Sequence, residues 1–122
     1  PIYDWLIFSK MRAVMGGRIR FMVSGGAPLN IEVKHTLQVI FGCPIFEAYG
    51  MTEAAGCLSC TAYWERGGNH VGGVLPCNRF QLRDVPSLNF STDSTPPQGE
   101  LYVKGNAVCK GYFKDPELTA SQ

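Results

Sequence analysis

Two short runs in this sequence combine small, aromatic, hydroxylated and acidic side chains. They are Ser24-Gly25-Gly26-Ala27-Pro28-Leu29 and Tyr49-Gly50-Met51-Thr52-Glu53. Small residues let a flat ring approach the backbone closely. Tyr49 offers an aromatic face, and Thr52 offers a hydroxyl that can donate to a phosphate oxygen. Glu53 offers a hard oxygen ligand for magnesium. Stacking, hydrogen bonding and metal coordination within a few residues would suit a nucleotide. Each part also has a plainer meaning. Small-residue turns are ordinary connections, Tyr49 alone would be a buried aromatic, and Glu53 alone a helix-end carboxylate. Only their conjunction points to chemistry.

The surrounding elements must place both runs on one edge. Asp4 is positioned to cap a helix running to about Met15, with Leu6, Phe8, Met11, Val14 and Met15 as an imperfect apolar stripe and Gly16-Gly17 as its stop. Ile19, Phe21 and Val23 alternate with polar or flexible neighbours and predict a strand over residues 19–23, which the small residues from Ser24 onward should end. Asn30 is a good N-cap for a second helix whose apolar face is Val33, Leu37, Ile40 and Phe41. Gly42 ends that helix and Pro44 prevents its return. Residues 44–48 predict a second strand that leads into a turn at Tyr49-Gly50.

Helix, strand, helix, strand with short connections is the pattern of a layered α/β domain with parallel strands. In such a sheet both glycine-containing runs project from the carboxyl edge, where open α/β sheets bind ligands. The second half changes character. Residues 56–63, 79–85 and 99–103 are strand-like, and residues 86–98 form a polar loop rich in serine, threonine and proline, expected to be exposed and mobile. The chain thus divides into an α/β part, residues 1–55, and a β-rich part, residues 56–122.

The chain has 122 residues and a formal net charge of +1, from 11 basic and 10 acidic residues. Hydrophobic residues make up 45%, which permits a packed core, and the charge balance gives no reason to expect a nucleic-acid partner. No apolar run approaches the roughly 20 residues that span a bilayer. Pro1 in place of a starting methionine, and residues 117–122 as the beginning of a cut helix, read as boundaries within a longer chain.

Five cysteines at irregular spacing fit reduced intracellular thiols better than a disulfide framework. Cys57 and Cys60 form a single CxxC, but a zinc site needs four ligands and no partner motif follows. His35 reads as a solvated helix residue, and His70 as a structural residue opening a glycine turn. Lys104, Lys110 and Lys114 read as a solvated basic face, of which a phosphate could use one. Trp5, Phe8 and Met11 read as core or as an apolar surface awaiting a neighbour rather than as a ligand box.

Tyr49-Gly50-Met51-Thr52-Glu53 resembles the signature of the adenylate-forming superfamily, which includes acyl-CoA synthetases, firefly luciferase and peptide-synthetase adenylation domains. Ser24-Gly25-Gly26-Ala27-Pro28-Leu29 resembles the superfamily motif that precedes it, and residues 70–76 resemble its glycine-proline turn. Residues 99–105, followed by Gly111-Tyr112-Phe113-Lys114-Asp115-Pro116, resemble its next strand motif. The resemblance covers the chain from Asp4 onward. Pro76-Cys77-Asn78, residues 111–116 and residues 10–18 look most like eukaryotic long-chain acyl-CoA synthetases.

The resemblance implies a fragment of the large N-terminal domain of such an enzyme. It implies ATP, magnesium and coenzyme A as cosubstrates and cofactor, and small molecules as partners; a phosphate of coenzyme A could use one of Lys104, Lys110 and Lys114. Gly26, Ala27 and Pro28 would form one adenine wall through their backbone. Tyr49 would stack on the opposite face, with Ala48 and Gly50 as close backbone contacts. Thr52 would bind near the α-phosphate and Glu53 would hold magnesium. The implied reaction joins a fatty carboxylate to AMP with loss of pyrophosphate, and coenzyme A then displaces AMP.

The superfamily's phosphate loop, ribose-binding aspartate and C-terminal lysine have no counterpart in this sequence, so the rest of a parent chain would complete the site. The resemblance also implies an intracellular parent and leaves its membrane attachment open. Another carboxylic-acid or amino-acid adenylating enzyme stays as an alternative reading, as does a nucleotide-binding or interaction module without catalysis.

Overall fold

The computed structural model describes residues 2–65 and 67–121. The chain groups into two compact units, Pro1–Gly50 with Ser59–Gly73, and Met51–Leu58 with Val74–Gln122.

In the first unit, a π-helical turn, Asp4–Phe8, leads into helix α1, Ser9–Val14. Asp4 does not cap this helix. Its carboxylate instead pairs with the Arg12 guanidinium at 2.9 Å, and the same guanidinium donates to the Ile40 carbonyl at 3.1 Å. The expected stop is present: Gly16 and Gly17 both take positive φ, and their N–H groups donate to the Ala13 and Arg12 carbonyls.

Strand β1, Met22–Gly25, pairs in parallel with strand β2, Ile45–Met51. Met22 lies opposite Ile45 and Gly25 opposite Ala48. Parallel neighbours were expected from the sequence, but both strands reach further than expected. Ser24 and Gly25 belong to β1, and Tyr49, Gly50 and Met51 belong to β2 rather than to a turn. The reason is steric. A Cβ on Gly25 would lie 3.1 Å from the Ala48 carbonyl oxygen, so the small residue permits the close strand approach that was taken as a strand end.

Helix α2, Ile31–Phe41, crosses between these strands. Asn30 caps it as expected: its side-chain oxygen accepts from the N–H groups of Glu32 and Val33 at 2.8 and 3.3 Å. Such a cap typically contributes about 1 kcal/mol. Gly42 closes the helix in the left-handed region at φ 63°. Leu37, Ile40 and Phe41 are half-buried, but Val33 is exposed, and the deepest residue of the helix is Lys34.

Strands β3, Gly56–Cys60, and β4, Gly73–Val74, follow, and β1 to β4 form one sheet in that order. Gly72 has φ +72°, and a Cβ there would lie 2.0 Å from the Cys60 carbonyl oxygen. A left-handed conformation alone costs a residue with a side chain about 1–2 kcal/mol. Gly72→Ala in the full-length protein is therefore expected to lose more than that. A melting temperature unchanged by the substitution would contradict the close approach.

In the second unit, β5, Asn78–Arg83, and β6, Glu100–Gly105, form an antiparallel pair with Asn78 opposite Gly105 and Arg83 opposite Glu100. The Arg83 guanidinium lies 3.8 Å from the Tyr102 ring centroid. The loop between these strands is exposed as expected from its composition, and it is also internally tied. Thr92 donates to the Asp84 carboxylate from its N–H at 2.7 Å and its hydroxyl at 2.8 Å, holding that carboxyl below its usual range. A short helix α3, Pro116–Ser121, ends the described chain.

Among the described residues, the buried hydrophobic side chains are Cys43 and Ile45 in the first unit and Ala54 and Leu58 in the second. Trp5 is 75% exposed and Val14 85%. The open apolar surface anticipated around Trp5 is therefore present, although Phe8 itself is half-buried.

Candidate functional site

Parallel pairing sets the end of β1 beside the last half of β2. A cavity of about 450 Å³ opens there in the first unit. Its lining includes Gly26, Ala27 and Pro28 from the segment after β1, and Ala48, Tyr49 and Gly50 from β2. All six residues expected to surround a base thus line one cavity. Gly26 has φ +85°, which turns the chain out of the strand and leaves its backbone bare to the cavity.

Ser24 and Leu29 from the first glycine-containing run, together with Glu47, Asn69, His70 and Val71, complete the wall. Sequence reading did not assign the last four to the site. His70 was read as structural, and its Nδ1 accepts from the Gly72 N–H at 3.1 Å, which fixes the ring. Its place on the cavity wall could have been found only from the fold, because residues 69–71 lie about 20 positions beyond Tyr49.

A second cavity of about 490 Å³ is lined by Lys34, His35, Cys43, Ile45 and Tyr63 among others. It touches the amino end of β2, whereas the first cavity lies at the carboxyl ends of two parallel strands. Open α/β sheets bind ligands at the carboxyl ends. The cavity at Gly26 and Tyr49 is therefore the candidate nucleotide site.

Glu47, on the cavity wall, meets the Lys34 ammonium with its carboxylate at 2.8 Å, the Lys34 and Glu47 side chains being 5% and 7% exposed. Lys34 also donates to the Gly67 carbonyl at 3.2 Å. The Glu47 N–H donates to Thr61 Oγ1 and the Glu47 carbonyl accepts from the Thr61 N–H, both at 2.9 Å. Glu47 is thereby held at main chain and side chain alike.

Thr52 and Glu53 are not among the residues lining the cavity. They belong to the second unit and open a 3-10 turn, Thr52–Ala54, directly after β2. Thr52 is exposed and Glu53 half-buried. The Tyr112 phenol donates to Glu53 Oε1 at 2.8 Å. That hydrogen bond, with a smaller contribution from Glu53's own N–H, holds the carboxyl below its usual range, and the same bond raises the Tyr112 phenol. Glu53 is therefore an ionised carboxylate at neutral pH.

Among the described residues no group of three or more histidine, cysteine, aspartate or glutamate side chains forms a metal cluster. Magnesium is commonly held by one or two carboxylates together with substrate phosphates and water. A single ionised glutamate fits that donor set. Lys104, Lys110 and Lys114 are exposed, as expected for a solvated face. No described helix is long and apolar enough to cross a membrane.

A family model described as AMP-binding enzyme matches residues 3–113. Fatty acyl-CoA synthetase A of Dictyostelium discoideum is 43% identical over 120 residues, which is 98% of this chain and 18% of that protein. The peroxisomal long chain acyl-CoA synthetase 7 of Arabidopsis thaliana is 42% identical over 118 residues, 96% of this chain and 17% of that protein. The chain thus spans less than a fifth of the length of these relatives. Among solved structures, the adenylation domain of a carboxylic acid reductase from Segniliparus rugosus, in complex with AMP and a co-purified carboxylic acid, superimposes with a TM-score of 0.73. It is 31% identical and covers 94% of this chain and 17% of that one.

Proposed function

We propose, from the premise that this chain belongs to the AMP-binding enzyme family, that it supplies part of the nucleotide site of a long-chain fatty acyl-CoA synthetase. The observation that carries this reading is the single cavity lined by Gly26, Ala27, Pro28, Ala48, Tyr49 and Gly50. The first three face a base with backbone and small side chains, and Tyr49 supplies a ring to stack on it. Residues 1–55 contribute the adenine motifs and residues 56–122 a β-rich part of the same domain.

In the proposed reaction, a fatty carboxylate attacks the α-phosphate of ATP, forming an acyl-adenylate and releasing pyrophosphate. The thiol of coenzyme A then attacks the acyl carbon and releases AMP. Thr52 Oγ1 donates to an α-phosphate oxygen, where negative charge grows during the first step. Glu53 offers its carboxylate to magnesium, which when bound would offset charge on the phosphate oxygens. Tyr49, Gly26 and Pro28 orient the base, and with it the bound nucleotide.

Long-chain specificity rests on the names of the relatives at 42–43% identity. The exposed Trp5 and Val14 support a reading in which further parts of the parent domain cover this surface. One relative is named as peroxisomal, which supports an intracellular parent.

The test is pyrophosphate release by the full-length protein with palmitate, benzoate and amino acids offered in turn. Palmitate is expected to give the highest kcat/KM. Preference for an aryl or amino acid would move the protein to another branch of the family. No release with any acid, together with retained ATP binding, would favour a non-catalytic nucleotide-binding module.

A further inference from the structure

We infer that Tyr112 is a positioning residue for Glu53, fixing the carboxylate in the orientation in which it meets the divalent cation carried by the nucleotide. This rests on the reading of Glu53 given above. The two residues are 59 positions apart, yet the Tyr112 phenol reaches Glu53 Oε1 at 2.8 Å. The same segment also grips residue 53 through the backbone, since the Cys109 N–H donates to the Glu53 carbonyl at 2.6 Å. Glu53 is thus clamped at main chain and side chain by one short stretch.

That stretch is itself anchored. The Tyr112 N–H donates to Thr119 Oγ1 at 2.9 Å, and the Thr119 hydroxyl donates to the Asp115 carbonyl at 2.7 Å. A Cβ on Gly111, at φ +150°, would lie 2.4 Å from Thr119 Cγ2, so glycine is what lets this turn close against α3. The clamp therefore presents a phenol at a fixed place instead of a mobile side chain.

The chemical consequence follows from the carboxylate's two oxygens. A glutamate on an exposed turn samples many rotamers and must lose that freedom when it binds a cation. A phenol that already engages Oε1 removes much of the loss in advance. Partners that orient a metal ligand in this way typically change metal affinity or activity by about 10- to 100-fold when deleted. The backbone contact from Cys109 would survive loss of the phenol, so docking of the segment and orientation of the carboxylate are separable.

The experiment uses the full-length protein with Tyr112→Phe, Glu53→Gln and the double variant. Manganese binding in the presence of a non-hydrolysable ATP analogue is followed by electron paramagnetic resonance of the free ion, a readout independent of turnover. Tyr112→Phe is expected to weaken manganese binding by about 10- to 100-fold, with metal-free nucleotide affinity unchanged and pyrophosphate release recovering at high magnesium. Adding Tyr112→Phe to Glu53→Gln should cause no further loss of metal affinity, because the phenol acts only through that carboxylate.

Wild-type metal affinity in Tyr112→Phe, alongside a loss in Glu53→Gln, would overturn the positioning role and leave the Glu53 reading standing. Additive losses would also overturn it, since they would mean a general structural effect. Unchanged metal affinity in Glu53→Gln would overturn the metal reading itself, and the positioning role with it. If Tyr112→Phe does not fold, Thr119→Val keeps the phenol but releases its anchor, and a metal affinity no weaker than wild type would then count against the clamp.

Discussion

Glu53→Gln in the full-length enzyme is expected to lower pyrophosphate release with palmitate by about 100- to 1,000-fold, the usual cost of removing one preorganised stabiliser of transition-state charge. The substitution keeps the side chain's length and its ability to meet the Tyr112 phenol, and it removes the formal charge. In the native protein the phenol, more than Glu53's own N–H, keeps the carboxyl below its usual range. The sign is that of an acid stabilised in its charged form: charge is present throughout the neutral range and is lost only as pH falls through the lowered value. Raising the pH therefore should not rescue the variant.

The loss should fall mainly on kcat, because charge on the phosphate oxygens grows in the transition state. Thr52→Val, which keeps the shape and deletes the hydroxyl, should lose less, and Tyr49→Phe should be mild because its ring remains available for stacking. Near-wild-type turnover of Glu53→Gln with unchanged magnesium dependence would remove Glu53 from the metal site.

Some of this was legible in the sequence because the signals are local. Asn30 and Gly42 bracket α2 through contacts no more than four residues away, so a cap and a left-handed stop can be read without the fold. Parallel pairing of the two short strands followed from alternation of elements. The strand ends were misjudged where two uses of glycine compete. Gly25 looks like a turn residue, but here its small size admits the neighbouring backbone, and pairing with β2 outweighs its turn preference.

What was not legible is non-local. Tyr112 and Glu53 meet across 59 residues, and Lys34 and Glu47 meet between a helix and a strand. Helical periodicity placed Val33 on the inner face, but the structure exposes Val33 and buries Lys34. A sequence pattern scores a lysine as solvated and has no means of knowing that a carboxylate waits on the adjacent strand. Glu47, Asn69, His70 and Val71 on the cavity wall were hidden for the same reason. Glu47 sits in the middle of a strand, and residues 69–71 arrive from a later connection.

Lys34→Met is expected to be the most destabilising single substitution in the first unit, at about 3–5 kcal/mol, because it leaves a buried carboxylate without its counter-charge. Lys34 and Glu47 are 4% and 5% exposed, and the ammonium is the carboxylate's ion-pair partner at 2.8 Å. Water cannot easily replace that ammonium at such depth, and the Glu47 backbone cannot shift to carry the carboxylate outward because its N–H and carbonyl are both tied to Thr61. A surface pair would show no such penalty, since exposed ion pairs contribute about 0–1 kcal/mol.

The double variant Lys34→Met with Glu47→Leu separates the pair's net contribution from the cost of breaking it. Replacing both charges by apolar groups of similar volume is often neutral or stabilising, so the double variant should melt above Lys34→Met alone. Thermal unfolding of the full-length protein, followed in parallel by protease susceptibility, measures both. A single variant as stable as wild type would show that the pair is solvated in solution. A double variant no better than the single one would mean that Lys34 acts chiefly through the Gly67 carbonyl, which its ammonium also reaches. Because Glu47 lines the candidate cavity, the double variant also tests how stability and binding are linked there. Recovered melting with weakened ATP binding would show that the buried charge is kept for the ligand and not for the fold.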